Sequence, residues 1–470
     1  MNRISAINAA LAQYDSGEFF QCLKERISKR TVNTPGGSPQ ALLEYLQQMQ
    51  SKLHDLGFST RLESVVVNDR SNHFLVADRV EDVERPTVLM YGHGDVVTGM
   101  DSQWSEDRSP WELSIDEDRW YGRGTADNKG QHSINLAALE AVLECRNRVL
   151  GFNLILVLEM GEEVGSPGLR EFCEKHRDAL KADLFLASDG PRLSAHQPTV
   201  FLGSRGIVNF KLRVTSRALP YHSGNWGGLL RNPATTLAAA LSSIVDGHGA
   251  LRVRGLCPQD VPEAVRDAVA LLQLAPEPGD PEIDLDWGEP GLRPEERLFA
   301  WNALEILALD AGNPANPVNA IPPKAVAHCQ LRFIVGTDWE NVATHLRRHL
   351  DEHGFPMVEV EVSRGAPATR LDPDSAWVRW AKGSIEKSSG KPIAVLPNLG
   401  GTLPNDIFAL ALGLPTIWVP HSYPGCAQHA PNEHLLGSVV REALGLMAGL
   451  FWDLGEVDLQ QMNPEAVVPQ

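Results

Sequence analysis

Basic residues are scarce in this chain: 42 lysines and arginines stand against 60 aspartates and glutamates, a formal net charge of -18 over 470 residues. That balance argues against nucleic acid or an anionic membrane surface as the main partner, because both demand a basic footprint. Cysteine is sparse as well. The six present, Cys22, Cys145, Cys173, Cys257, Cys329 and Cys426, form no CxxC pair and no regular spacing, which argues against a zinc ribbon or a disulfide framework. They read as reduced, mostly buried thiols, and Cys426, although close to His429, is expected to pack and not to ligate. No apolar run approaches the roughly 18 residues of a membrane span, and Met1 to Tyr14 lacks the basic start and apolar stretch of a secretory signal. A cytoplasmic protein with no membrane partner is expected. There is no G-x-S-x-G elbow, and Ser204 or Ser223 beside a glycine is too common a pattern to argue for a serine hydrolase. No internal repeat is found.

With 43% apolar and 22% charged residues the composition is that of an ordinary globular protein, and its length suggests two domains. Several apolar runs end in metal-competent side chains. Thr87 to Tyr91 continues into Gly92-His93-Gly94-Asp95, Phe152 to Leu158 runs into Glu162-Glu163, Ala182 to Ala187 into Ser188-Asp189, and Thr416 to Val419 precedes the segment holding His429. Asp127 falls in the loop opening an amphipathic helix whose apolar positions run from Ile134 to Cys145 at helical spacing. In an open, mostly parallel α/β sheet, ligands collect beyond the carboxyl ends of the strands, where residues far apart in sequence meet. Two imidazoles and three carboxylates suit two first-row divalent ions with one carboxylate bridging.

Residues 1–202 alternate helix-like and strand-like patterns, as a helix-covered sheet requires. From about Gly203 the texture becomes that of a compact α+β insertion. Strands are expected over Ile207 to Val214, Ala325 to Val335 and Met357 to Val362, with helices over Pro233 to Val245, capped by Asn232, and around Trp339 to His353. Residues 257–296, rich in Pro, Asp and Glu, read as a surface excursion. Gly365-Ala366-Pro367 marks the return, followed by a helix over Ser375 to Ser388 and a short strand over Pro392 to Leu396; from about Gly455 a loosely held tail is expected. The expected architecture is therefore an α/β catalytic domain, residues 1–202 and 366–470, with a helix-covered, mostly parallel sheet, and a smaller inserted α+β domain, residues 203–365.

Tyr91-Gly92-His93-Gly94-Asp95, Trp120 to Gly130, Glu162-Glu163 with Gly165-Ser166, His222-Ser223-Gly224, Asn319-Ala320-Ile321-Pro322, Gly400-Gly401-Thr402-Leu403-Pro404 and His429-Ala430-Pro431-Asn432-Glu433 occur in that order. Together they resemble the signatures of the M20 family of metallopeptidases and amidohydrolases, which includes carnosinase-like dipeptidases, carboxypeptidase G, succinyl-diaminopimelate desuccinylase and acetylornithine deacetylase. The resemblance implies that Asp127 bridges two divalent ions, with His93 and Asp189 on one and Glu163 and His429 on the other. Zinc is the first choice, with manganese and cobalt as alternatives. It also implies that Glu162 is the general base and acid acting on a metal-bridging water, and that Asp95 hydrogen-bonds the His93 imidazole and fixes its tautomer. The insertion would be a lid that dimerises and sends His222 into the partner's site to stabilise the oxyanion. Asn319 and Arg332 match positions that bind a substrate carboxylate in relatives, and Gly400, Gly401 and Thr402 would complete the substrate pocket.

Some residues depart from the family pattern. Asn128 stands where many relatives carry an acid or Met, Gly94 replaces a bulkier residue of carnosinases, Thr402 stands for Ser, and Asn405-Asp406 is expected to alter the pocket. A hydrolase cleaving a peptide bond in a dipeptide-like substrate with a free carboxylate is the leading reading. The alternatives are an N-acyl or N-carbamoyl amino-acid amidohydrolase, and, in another class, a catalytically silent dimeric binding module on the same fold.

Overall fold

Unbroken apolar runs such as Val88-Leu89-Met90-Tyr91 fold as strands covered on both faces, because successive side chains of a strand point to opposite sides and neither side can then face water. The computed structural model describes residues 1–34, 36–68, 70–105, 107–274, 280–363 and 365–462. Its strands, in chain order, include β1 (Ser59–Val67), β2 (Arg70–Arg79), β3 (Thr87–His93), β4 (Asn153–Glu159), β5 (Leu184–Ala187), β6 (Thr199–Phe201), β7 (Gly206–Thr215), β8 (Ala303–Asp310), β9 (Lys324–Phe333), β10 (Glu359–Val362), β11 (Ala394–Leu396) and β12 (Thr416–Trp418).

Eight of these form one sheet in the order β1-β2-β4-β3-β5-β12-β6-β11. Its centre, β4-β3-β5-β12, is parallel, and antiparallel pairings occur toward both sides. Alternation divides the core in two. Val88, Met90, Leu154, Leu156, Leu184 and Leu186 join one apolar cluster, beneath helices that include Arg3–Asp15, Lys129–Cys145, Ala376–Ser389 and Gly437–Leu454. Leu89, Tyr91, Ile155, Val157, Phe185 and Ala187 join the other. Each fully buried aliphatic side chain contributes about 1.5–3 kcal/mol, so both faces are committed to packing. Polar chemistry is left to the strand ends.

Residues 206–362 build a second, four-stranded sheet, β8-β9-β7-β10, all antiparallel. Its central strands β7 and β9 alternate buried and more exposed positions, and helices Pro233–Ile244 and Val342–Glu352 cover its buried face. Asn232 caps the first of these helices, accepting from the Ala234 amide. The overall class is α/β with a smaller α+β unit, as expected.

Two expectations are corrected. The 257–296 segment is more than a surface excursion: helices Glu263–Ala270 and Pro294–Phe299 bury Val265, Val269 and Phe299 in the main sheet's second cluster. Its periodicity is short and its acidic residues dominate the composition, which hid the few apolar side chains that dock it; residues 275–279 lie outside the described residues. Likewise, Val457, Leu459 and Met462 of the expected loose tail pack against the first cluster, while residues 463–470 lie outside the described residues. Among the described residues no helix is long and apolar enough to cross a membrane.

Candidate metal centre

His93 is the last residue of β3 and is fully buried. Its Nε2 lies 2.9 Å from Asp127 Oδ1 and 3.5 Å from Asp189 Oδ2, the latter carboxylate standing two residues beyond β5. Beyond β4, Glu163 meets His429: the His429 Nε2 is 3.0 Å from Glu163 Oε2 and 2.9 Å from the second oxygen of Asp127. The five side chains thus form two triads, His93-Asp127-Asp189 and Asp127-Glu163-His429, that share Asp127. Within each triad the candidate ligand atoms lie within 4.8 Å of one another.

These residues fit a metal. His93 Nε2, Asp127 Oδ1, Glu163 Oε1 and Asp189 Oδ2 are buried and have no hydrogen-bond partner among the described residues. Buried polar atoms are otherwise nearly always paired, so three orphans gathered in the first triad and a fourth, on Glu163, in the second call for cations. The His93–Asp127 contact is short without the alignment of a hydrogen bond.

Protons take the cations' place in the metal-free electrostatics. Burial opposes charge on His93, but the close carboxylates of Asp127, Asp189 and Asp95 outweigh it and hold the imidazole well above its usual range. His429 is raised to about 10 by its hydrogen bonds with Asp127 and Glu163. Burial works against the Asp127 carboxylate too, yet its bonds with His429 and His93 hold it well below the ordinary carboxylate range. Glu163 is pushed up to about 7, by burial first and then by Asp127.

Glu162 borders the triads without completing either, its Oε2 4.0 Å from His93 Nε2. Burial raises its carboxyl well above the usual range; His93 opposes the shift, and Asp189, Asp127 and Glu163 add to it. Asp95 serves both strand ends. Its main-chain carbonyl lies 3.2 Å from His93 Nδ1 and its carboxylate 3.4 Å away, while that carboxylate accepts the amides of Glu162 and Glu163 at 3.2 and 3.1 Å.

The loops are tied together by the first turns of helix Lys129–Cys145. Gln131 donates to the Ala126 and Gly190 carbonyls and accepts the His421 amide, and Asn128 donates to the Ser188 carbonyl. The sequence reading missed Glu433. One of its oxygens accepts the amides of Gly124, Ala126 and Asp127, and the other pairs with Arg123 at 2.7 Å, all buried. It sits in the His429 motif, and only its position there hints at the role. Gln428, also missed, donates to Asp127 Oδ2. His429 and Ala427 take left-handed backbone angles, φ 60° and 55°, a conformation that non-glycine residues hold only where surrounding contacts over-determine it. The Asp127–Asn128 peptide is cis.

A cavity of about 400 Å³ opens over the triads, lined by Asp127, Glu162, Asp189 and His429 and, opposite, by Gly400, Gly401 and Thr402. Arg332 stands just outside this lining, donating to Thr402 Oγ1 at 2.6 Å; Thr402 donates to the Arg205 carbonyl, and Arg205 to the Gly400 carbonyl. His222 and Asn319 are elsewhere. His222 is exposed on a two-residue ladder, Tyr221–His222 against Ala320–Ile321, beside the Asn319 carbonyl, and neither residue lines the cavity of its own chain.

The departures from the family pattern have local reasons. A Cβ at Gly94 would meet the Tyr45 ring at 2.4 Å and the Met160 sulfur at 2.9 Å. Asn405 is not a pocket residue: it holds Trp418, Thr369 and Thr416, while Asp406 pairs with Arg170. Cys426 packs in the first core cluster, its thiol pushed up to about 12 by burial.

The model of peptidase family M20/M25/M40 matches residues 89–453, a span that includes both triads. The chain belongs to this family. It is 27% identical over 399 residues to a cysteinylglycine-S-conjugate dipeptidase of Corynebacterium striatum, covering 82% of this chain and 84% of that protein. It is 25% identical over 481 residues to a beta-Ala-His dipeptidase of Rattus norvegicus, covering 95% of each. In fold it matches the M20 family metallo-carboxypeptidase Sso-CP2 of Sulfolobus solfataricus, with a TM-score of 0.76 at 23% identity over 94% of this chain and 100% of that one. M20 metallopeptidases bind metal ions, and this M20 chain carries a candidate ligand set for them, four of whose atoms are buried without a partner among the described residues. It is a metallopeptidase-type hydrolase.

Proposed function

We propose that the chain is a dizinc dipeptidase acting on small substrates with a free carboxylate. The observation that carries this reading is the pair of triads sharing Asp127, with Glu162 beside them and in neither. In this reading His93 and Asp189 hold one ion, Glu163 and His429 the other, and Asp127 both. Divalent ions there supply Lewis-acid polarisation of the scissile carbonyl and activation of water.

The remaining work falls to the chain. Glu162 takes a proton from the attacking water and returns it to the leaving nitrogen, which suits a carboxyl whose affinity for protons is raised by its surroundings. Asp95 fixes the base and the His93 ring from one point. Arg332, with Thr402 beneath it, grips the substrate carboxylate, and Asn319, outside its own chain's cavity, adds a neutral hydrogen bond from across the dimer together with His222.

The 203–365 insertion acts as the lid and dimerises. In support, β8 is an edge strand of its sheet, and Leu307 and Leu309 on it are 60% and 59% exposed, with Val318 nearby in sequence at 69%. His222 is exposed in its own chain, as a residue donated to a partner's site would be. A cytoplasmic setting accords with the six free cysteines.

The reading is tested by metal loading and turnover together. Metal must displace the protons held on His429 and half-held on Glu163, whose pKa values stand at about 10 and about 7. With His93 held protonated as well, titration of zinc into the metal-free protein near pH 7 should therefore release about two protons or more per chain, and apparent affinity should rise with pH. The loaded protein should cleave dipeptides in preference to N-acyl amino acids and lose turnover to a chelator. Tight metal binding with no proton release would refute the ligand set; full loading without cleavage of either substrate class would favour a silent binding module.

Shared sites make a further prediction. When His222→Ala and Glu162→Gln chains, each inactive alone, are mixed and exchange freely, about a quarter of all sites should be intact and activity should return in proportion. Verified heterodimers with no recovery would remove His222 from the partner's site.

A further inference from the structure

A second cavity, of about 550 Å³, adjoins the one over the triads and shares Leu193, Leu274, Leu298 and Pro424 with it. One side is the 280–305 stretch, with Trp287, Trp301, Asp284, Glu289 and Glu305, and Arg205 stands at the corner toward Gly400. Two buried atoms on its wall have no partner among the described residues: the indole Nε1 of Trp301, a donor, and Oε2 of Glu289, an acceptor. Arg297, which also lines it, spends its guanidinium on the main-chain carbonyls of Leu285, Trp287 and Glu289 and thereby pins that loop as a wall. Trp287 lies against Gly249, where a Cβ would come within 2.6 Å of the indole.

The wall is therefore aromatic and carries more acids than bases, Asp280, Asp284, Glu289 and Glu305 against Arg205 and Arg297, with one buried acceptor and one buried donor that have no partner among the described residues. Arg205 ties it to the place where a carboxylate would be gripped: Arg332 donates to Thr402, Thr402 to the Arg205 carbonyl, and Arg205 to Gly400. A substrate residue held there by its carboxylate has this second cavity beside it.

We propose that the second cavity receives a cationic side chain, of arginine or lysine class, belonging to the substrate residue that carries the free carboxylate; this rests on the dipeptidase reading. The cation supplies the donor that Glu289 lacks, and the tryptophan faces favour it through their negative π-surfaces. The backbone of the same residue supplies an acceptor for the Trp301 N–H. Glu305 and Asp284 add negative potential without needing direct contact.

The test is calorimetric binding to zinc-loaded Glu162→Gln protein, which removes the proposed base. Gly-Arg should bind about tenfold or more tighter than Gly-citrulline, the factor expected of one charge-assisted hydrogen bond. Adding Glu289→Gln should bring that ratio close to one, and Arg-Gly against citrulline-Gly should show little difference in either protein. Trp287→Leu, at a half-exposed site, should reduce the ratio severalfold and serves if the Glu289 variant does not fold. Equal binding of Gly-Arg and Gly-citrulline, a ratio that survives Glu289→Gln, or a preference for the cation only at the amino-terminal residue would each overturn the assignment. Turnover by the wild type separates the two claims. A binding ratio with no cleavage of any dipeptide would remove the dipeptidase reading and keep the cavity's ligand, while equal binding with efficient cleavage of both peptides would do the reverse.

Discussion

Glu162→Gln should lower turnover by about 10²–10⁴-fold, the range that general acid–base catalysis supplies, while the metal content stays that of the wild type. The substitution keeps the side chain's shape and removes its ability to accept a proton. Glu162 is absent from both triads and approaches His93 Nε2 only to 4.0 Å, so no ligand is lost. The neighbouring Glu163→Gln should behave oppositely, losing one metal, because its carboxylate faces His429 at 3.0 Å and its other oxygen has no partner among the described residues. Metal analysis beside steady-state kinetics on both variants is the measurement. If Glu162→Gln is the one that sheds metal, the two glutamates have been assigned the wrong way round.

Asp127→Ala is expected to abolish binding at both metal positions, weakening each by more than about 100-fold, since even outer-shell substitutions around a metal cost 10–100-fold. Each of its oxygens serves a different triad, 2.9 Å from His93 on one side and 2.9 Å from His429 on the other. His93→Ala and His429→Ala should each remove one metal and leave the other measurable. Stoichiometry by elemental analysis after equilibrium dialysis decides the matter: three variants with the same single loss would mean two independent sites and no bridge.

The strand ends that carry candidate ligands were legible because parallel strands buried on both faces have to be written as uninterrupted apolar runs, so the polar residues that follow within a few positions of Tyr91, Leu158 and Ala187 stand out. The helix after Asp127 was legible from its period. The 257–296 segment was not, because a handful of apolar residues, among them Val265, Val269 and Leu272, dock it on a sheet built from residues far away in sequence. No local pattern encodes that surface. Asp95 illustrates a finer limit: the family resemblance implied a bond to the imidazole, but its carboxylate chiefly receives two amides from the next strand's loop. Which atom of a residue makes a contact depends on loop geometry, and composition and period do not carry it. Arg205 gave no signal at all, since an arginine after a glycine and a serine resembles any turn, and its place beside Gly400 depends on the return of the chain nearly two hundred residues later.

Glu433 also bears on the order in which a growing chain can become an enzyme. The loop that presents Asp127 has its amides at Gly124, Ala126 and Asp127 satisfied by a carboxylate that lies 306 positions further along than Asp127. β12, which sits between β5 and β6 in the sheet, is likewise supplied only after residue 415. During synthesis from the amino terminus, then, His93, Asp127, Glu163 and Asp189 all emerge from the ribosome long before Glu433 can brace the Asp127 loop. A partial chain carries four of the five candidate ligands and the ties that Asp95, Asn128 and Gln131 make among their loops, but lacks His429 and the carboxylate that holds the Asp127 loop. Hydrolytic competence should arrive abruptly, once the segment around Glu433 has emerged and docked, and nascent fragments shorter than that should be harmless to the peptides around them.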